Sequence, residues 1–161
     1  FLLRGLIDFF NLPMSQFSKG PEQQFPLTVG GWRISPSICY EVVYPDLVAR
    51  NALYADILLT ISNDTWFGDS IGPLQHLQMA QMRALENGRY MLRGTNDGIS
   101  AIISPKGHIL AQSERFKREV INGVVSPMQG YTPYMRWQNF PILCLVLISG
   151  LLCFRQRRQK P

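Results

Sequence analysis

Ile34-Ser35-Pro36-Ser37-Ile38-Cys39-Tyr40-Glu41 is an apolar, strand-like run that delivers a lone cysteine into a turn, with a carboxylate two residues later. Upstream, Phe25-Pro26-Leu27-Thr28-Val29, then Gly30-Gly31, then Trp32 onward reads as a β-hairpin, because Gly-Gly supplies the positive φ angles of a tight turn. Pro36 has no N–H to give to a ladder, so it places the second strand at an edge or a bulge just before Cys39.

Downstream, Tyr44-Pro45-Asp46 opens a helix to about Tyr54, with proline in the first turn and an acid at the positive helix end. Ile57-Leu58-Leu59-Thr60-Ile61 is a continuous apolar run of strand length, the pattern of a strand buried on both faces. It feeds a polar and aromatic loop, Ser62 to Asp69. Pro73 to Gly88 predicts a helix with Leu74, Leu77, Ala80, Ala84 and Gly88 on one packed face. Met91–Thr95 and Ile99–Ile103 read as strands around an Asn96-Asp97-Gly98 turn. Pro105-Lys106-Gly107-His108 turns into Ile109–Gln112, and Val120–Val125 reads as a last strand. Ahead of all this, Phe1–Phe10 is an apolar, helical piece and Ser15–Gln24 a loop. Strands and helices in this alternation define an α/β fold in which helices cover a sheet.

The 161 residues carry a formal charge of +5 and 46% hydrophobic residues, enough for a core. Arg155, Arg157, Arg158 and Lys160 supply most of that charge, so it is a basic tail on a near-neutral body. A basic face for phosphates, and with it a nucleic-acid partner, is not expected. Three cysteines show no CxxC spacing, and His76 and His108 are isolated; neither a disulfide framework, a metal site nor a cofactor motif is indicated. The chain opens on Phe1 in what reads as mid-domain text, so it is expected to be the C-terminal part of a longer protein.

The run from Phe140 to Phe154 contains no charge and is followed at once by Arg-Gln-Arg-Arg-Gln-Lys. Helical, it spans about 22 Å; counted from the interfacial Trp137 it reaches about 27 Å, against about 30 Å of hydrocarbon. The expected organisation is residues 1–136 as the C-terminal portion of a larger folded domain, 137–154 as a transmembrane helix and 155–161 as a cytoplasmic basic tail. By the positive-inside rule the body then faces the other side of the membrane, the periplasm of a bacterium.

A thiol is a strong nucleophile when its environment favours the thiolate. At the end of a strand, Cys39 would project from a sharp turn with the Tyr40 N–H free to donate to an oxyanion. Read alone, a lone cysteine of this kind is more often a buried structural residue than a reactive one.

Five runs in order give Cys39 a chemistry: Ile38-Cys39-Tyr40-Glu41, Ser62-Asn63-Asp64-Thr65-Trp66-Phe67-Gly68, Gln75-His76, Arg83-Ala84-Leu85-Glu86 and Thr95-Asn96-Asp97-Gly98. Together they resemble the nitrilase (carbon–nitrogen hydrolase) superfamily, and within it the membrane-bound branch that acylates bacterial lipoproteins. The likeness extends from Leu12-Pro13-Met14-Ser15 and Phe17-Ser18-Lys19-Gly20-Pro21 through Gly130-Tyr131-Thr132-Pro133-Tyr134 to the basic tail.

The resemblance implies the C-terminal part of an α-β-β-α sandwich in the bacterial inner membrane and a Glu-Lys-Cys triad without cofactor. Cys39 would carry an acyl chain as a thioester, taken from a phospholipid donor and passed to the α-amino group of a diacylglyceryl-cysteine apolipoprotein acceptor. Tyr40 and Glu41 would support the nucleophile, with Trp66 near the lipid entrance. Asn63 lies on the same loop, Asn96 is a turn residue near the site, and Glu86 either pairs structurally with Arg83 or orients the site. His76 is expected to pack or cap. Lys19 and Glu22 do not match the triad lysine and glutamate, which would lie before Phe1. The fragment alone is therefore expected to be inactive. Two other readings stay open, an amidase that hydrolyses C–N bonds and a non-catalytic remnant.

Overall fold

The computed structural model describes residues 20–21 and 24–158. The apolar piece at 1–10, the upstream resemblance at 12–19, Glu22 and the last three residues lie outside them.

Six strands form one sheet whose spatial order follows the chain. They are β1 (Leu27–Val29), β2 (Trp32–Ile38), β3 (Ile57–Asn63), β4 (Met91–Asn96), β5 (Ala101–Ile103) and β6 (Ile109–Gln112). The predicted glycine turn closes the β1–β2 hairpin, with Gly30 at φ 57° and Gly31 at φ 84°. β1 pairs only as far as Ile34, so Pro36 sits where β2 is bonded on one side, through Leu59 of β3. The missing N–H therefore costs no ladder bond.

β2, β3 and β4 run parallel, and parallel neighbours need crossovers. Helix α1 (Pro45–Ala52) supplies the first and α2 (Gly72–Asn87) the second. Gly88 ends α2 at φ 57°, its N–H capping the carbonyls of Ala84 and Leu85. Leu58, Met91 and Ile103 stand side by side across β3, β4 and β5 and are almost fully buried. Against them pack Val48 and Ala52 of α1 and Leu77, Ala80 and Ala84 of α2. Each such side chain contributes roughly 1.5–3 kcal/mol by leaving water.

Four expectations need correction. β3 is not buried on both faces: the helices cover the face bearing Leu58, Thr60 and Ser62, while Ile61 on the other is 59% exposed. The described residues accordingly form one sheet layer rather than the two of a sandwich. Leu74 is outside the packed face of α2 and lines a groove with Ile99 and Ile109. Residues 120–125 make no strand; Val120 and Val124 are exposed, and Gly123 packs on Ile102.

The C-terminal helix is the fourth. A short helix α3 (Pro133–Trp137) docks through Met135 into the core and ends at Gln138, φ 46°. The long helix α4 (Phe140–Arg158) starts only afterwards, so Trp137 does not extend the apolar run and the count of about 27 Å fails. Among the described residues no helix is long and apolar enough to cross a membrane. The transmembrane segment expected over 137–154 thus finds no support in the fold. What the structure shows is a 19-residue helix whose apolar side chains, Phe140 through Leu152, stand exposed on every side.

Candidate active site

Cys39 begins a 3-10 turn (Cys39–Val43) at the C-terminal end of β2. Its φ is +52°, a left-handed conformation that costs a residue with a Cβ about 1–2 kcal/mol. This sharp reversal takes the thiol out of the strand direction, as the sequence predicts. Glu41 holds the reversal: its Oε2 accepts the Ile38 N–H at 2.7 Å, so the carboxylate ties the residue before the cysteine to the turn after it. Tyr40 lies in the first turn, where backbone N–H groups lack intrahelical partners; its ring is 55% exposed and packs edge-on against Tyr44.

The C-terminal end of β3 brings Ser62 beside the cysteine, with Ser62 Oγ 3.5 Å from Cys39 Sγ. Ser62 Oγ also donates to Asp64 Oδ1 at 2.7 Å. Asp64 starts a second 3-10 turn (Asp64–Phe67), is almost fully buried, and takes two further partners. His76 Nδ1 on α2 lies 3.1 Å from Oδ1, and Arg93 on β4 donates to Oδ2 at 2.6 Å. The other ring nitrogen of His76 lies 3.3 Å from the Cys39 carbonyl oxygen, closing the circuit. Burial pushes the Asp64 carboxyl up, but hydrogen bonds from His76 and Ser62 and the charges of Arg93 and His76 prevail, holding it below its ordinary value. Arg93 is itself pushed down, first by burial and against the attraction of Asp64.

The remaining expected residues sit around this core. Asn63 caps the second 3-10 turn by accepting the Thr65 N–H at 3.2 Å, and in the β3–β4 register it stands opposite Asn96. Asn96 lines an open polar cavity of about 520 Å³ with Thr65, Asp97 and Ser113. Trp66 is 79% exposed and makes no part of the core. Glu86 pairs with Arg83, whose Nε lies 2.8 Å from Oε2, and Arg83 donates to the Val43 carbonyl at the end of the cysteine turn. Through Arg83 the ion pair is connected to the turn that carries Cys39. Burial raises its carboxyl despite the Arg83 charge.

Sequence reasoning missed the Ser62–Asp64–His76–Arg93 cluster, which no local spacing brings together. A signal existed in His76, which shares the buried side of α2 with Pro73, Leu77 and Ala80. A histidine there needs polar partners.

The turn that begins at Cys39 thus lies at the carboxyl end of a parallel strand in a helix-covered mixed sheet. A sequence profile of the carbon-nitrogen hydrolase family matches residues 10–129, and the chain belongs to that family. Within it, the chain is 58% identical over 160 residues to the apolipoprotein N-acyltransferase of Azotobacter vinelandii, covering 99% of this chain and 31% of that protein. It is 44% identical to the apolipoprotein N-acyltransferase of Vibrio cholerae, covering 99% of this chain and 32% of the relative. The chain thus spans about a third of the length of these relatives. Among solved structures, the C. elegans NitFhit protein superposes with a TM-score of 0.52 at 26% identity, over 65% of this chain and 27% of that one. A Nesterenkonia amidase, solved with the acetamide moiety of fluoroacetamide covalently added at its active-site cysteine, gives a TM-score of 0.52 at 26% identity, over 62% and 40%.

Proposed function

We propose that the chain is the nucleophile-bearing part of a lipoprotein N-acyltransferase of the bacterial cell membrane, with Cys39 as acyl carrier. The observation that carries this reading is Cys39 itself, at positive φ on a turn braced by Glu41 and by the Asp64 cluster. The 58% identity to an apolipoprotein N-acyltransferase supports a lipoprotein acceptor, and the adduct on the amidase cysteine supports the nucleophile.

The thiolate attacks the ester carbonyl of a phospholipid. The C–S bond forms, the bond to the glycerol oxygen breaks, and the lysophospholipid leaves with the proton that the general base took from the Cys39 thiol. The free α-amine of a diacylglyceryl-cysteine then attacks the thioester; an amide forms, the C–S bond breaks, and the amine's proton returns to the thiol. The Tyr40 N–H donates to the oxyanion in both steps. Among the described residues neither acid of the cluster is a free base, since Glu41 is engaged by Ile38 and Asp64 by three donors. A general base contributes about 10²–10⁴-fold. In this reading it is a glutamate working with a lysine in the part of the full-length protein beyond this chain, and the 161 residues alone are inactive. Trp66 contacts the lipid, and α4 gives the body an apolar contact with the membrane from its periplasmic side.

The test incubates full-length protein with labelled phospholipid and follows a hydroxylamine-sensitive acyl adduct. Wild type forms it and Cys39→Ser does not. An adduct that survives in Cys39→Ser refutes the assignment. Hydrolysis of small amides in place of acyl transfer to a diacylglyceryl peptide would move the protein to the amidase reading.

A further inference from the structure

His76 is a buried ionisable residue, 3% exposed, for which acyl transfer as written has no use. Its two ring nitrogens meet two different parts of the site. A carbonyl only accepts, so Nε2 at 3.3 Å from the Cys39 oxygen carries a hydrogen toward it. Nδ1 faces a carboxylate oxygen of Asp64 at 3.1 Å. Asp64 is in turn fixed by Arg93, a side chain buried on β4 and tied through Nε to the Ile99 carbonyl at 3.2 Å. The ring is fenced on another side by Phe67, with centroids 6.3 Å apart.

The residue at the far end of this chain of contacts, Cys39, is held in a strained conformation at φ +52°. A carbonyl hydrogen bond to Cys39 opposes rotation of its backbone out of the positive-φ region, because that rotation swings the oxygen away. The same Asp64 that orients His76 also holds the Ser62 hydroxyl at 2.7 Å, and that hydroxyl lies 3.5 Å from the Cys39 sulfur. Backbone and sulfur of Cys39 are therefore referenced to one carboxylate.

We propose that His76 is a positioning residue for the nucleophile: held by Asp64, it donates to the Cys39 carbonyl and keeps the thiol in its reactive orientation. The inference rests on the reading of Cys39 as acyl carrier, and the experiment separates the two. The rate of acyl-adduct formation is measured in full-length protein for wild type, Cys39→Ser, His76→Ala, His76→Gln and His76→Asn, with thermal melts of each. Glutamine places its amide N–H near the position of Nε2, and asparagine near that of Nδ1. Displacing a reacting atom by about 1 Å costs on the order of 10²-fold, so His76→Ala is expected to lower the rate by about that factor with the phospholipid KM unchanged. His76→Gln should recover most of the rate and His76→Asn should not. A purely structural role beside Asp64 predicts the reverse order, and would overturn the proposal even if His76→Ala fails to fold. So would a folded His76→Ala reacting at the wild-type rate. An adduct retained by Cys39→Ser sinks the functional reading instead, independently of how the His76 variants rank.

Discussion

Gly98→Ala should dismantle the site from a distance. Gly98 is buried in the turn between β4 and β5, directly against Asp64. A Cβ added there would lie 2.8 Å from Asp64 Cβ and 2.9 Å from Cγ, closer than side-chain carbons approach in folded proteins. The obstruction is a carboxylate that has nowhere to go, since Arg93 holds it at 2.6 Å, Ser62 at 2.7 Å and His76 at 3.1 Å. Overpacking of this kind costs about 1–3 kcal/mol, and giving up one charge-assisted hydrogen bond adds about 1.5–3 kcal/mol. Relief of one partly relieves the other, so the expected destabilisation is about 2–4 kcal/mol. At about 3 °C per kcal/mol for a domain of this size, the melting temperature should fall by about 6–12 °C. A double-mutant cycle separates steric obstruction from any general sensitivity of the turn. In an Asp64→Gly background the whole obstructing side chain is gone, Cβ included, and the same Gly98→Ala change should cost less than about 1 kcal/mol. Equal costs in both backgrounds, or a Gly98→Ala protein that melts within about 2 °C of wild type, would refute the reasoning.

Glu41→Ala removes the acceptor of the Ile38 N–H; loss of a comparable cap costs about 0.5–2 kcal/mol, and adduct formation should slow while Glu41→Gln, which keeps an acceptor oxygen, retains most of the rate. Comparing Cys39→Gly with Cys39→Ala isolates backbone strain from chemistry, since both lack the thiol and only alanine keeps a Cβ at φ +52°; the glycine variant should be more stable by about 1 kcal/mol in a thermal melt. Trp66→Ala, at a position 79% exposed, should change stability by less than about 0.5 kcal/mol yet lower the phospholipid-dependent rate, and an unchanged rate would remove Trp66 from the lipid path. For pH, the folded-state pKa of Asp64 is lowered, so its contribution is fully present above the unfolded value near 3.8 and is lost as pH falls through the folded one. The melting gap between wild type and Asp64→Asn should accordingly be widest near neutrality and narrow below about pH 4.

Local chemistry made much of the sheet legible before any coordinates. Gly30-Gly31 fixes a hairpin because positive φ is cheap only there, and Asn96-Asp97-Gly98 and Pro105 to His108 mark the next two reversals in the same way. The crossover helices announced themselves by Pro45 and Pro73 near their starts. Failures came where a residue's state depends on what covers it. Ile57 to Ile61 carries apolar side chains on both faces, but the helices reach only one, and periodicity has no information about the other layer. Val120 to Val125 has strand-like composition without a ladder partner. The break at Gln138, at φ 46°, comes from a short helix docking Met135 into the core, a tertiary demand that overrides the apolar continuity of the text.

The site divides along the same line, and the division explains why its motifs read as separate pieces. Ile38 and Glu41 are three apart, so the bond that braces the cysteine turn is local and the pair can be recognised as a unit. Ser62, Asp64, His76 and Arg93 come from two strands, a turn and a helix, and meet because β2, β3 and β4 are in parallel register with Thr60 opposite Arg93. Parallel register is set by the buried alternation on each strand, so the core residues Leu58 and Met91 aim Arg93 at Asp64 as surely as they hold the sheet. A one-residue slip of β4 would turn Arg93 to the opposite face and leave the Asp64 carboxylate buried with a partner missing, a loss of several kcal/mol. The cluster under Cys39 therefore acts on folding as well as on chemistry: it penalises the wrong register at the place where the nucleophile has to be held.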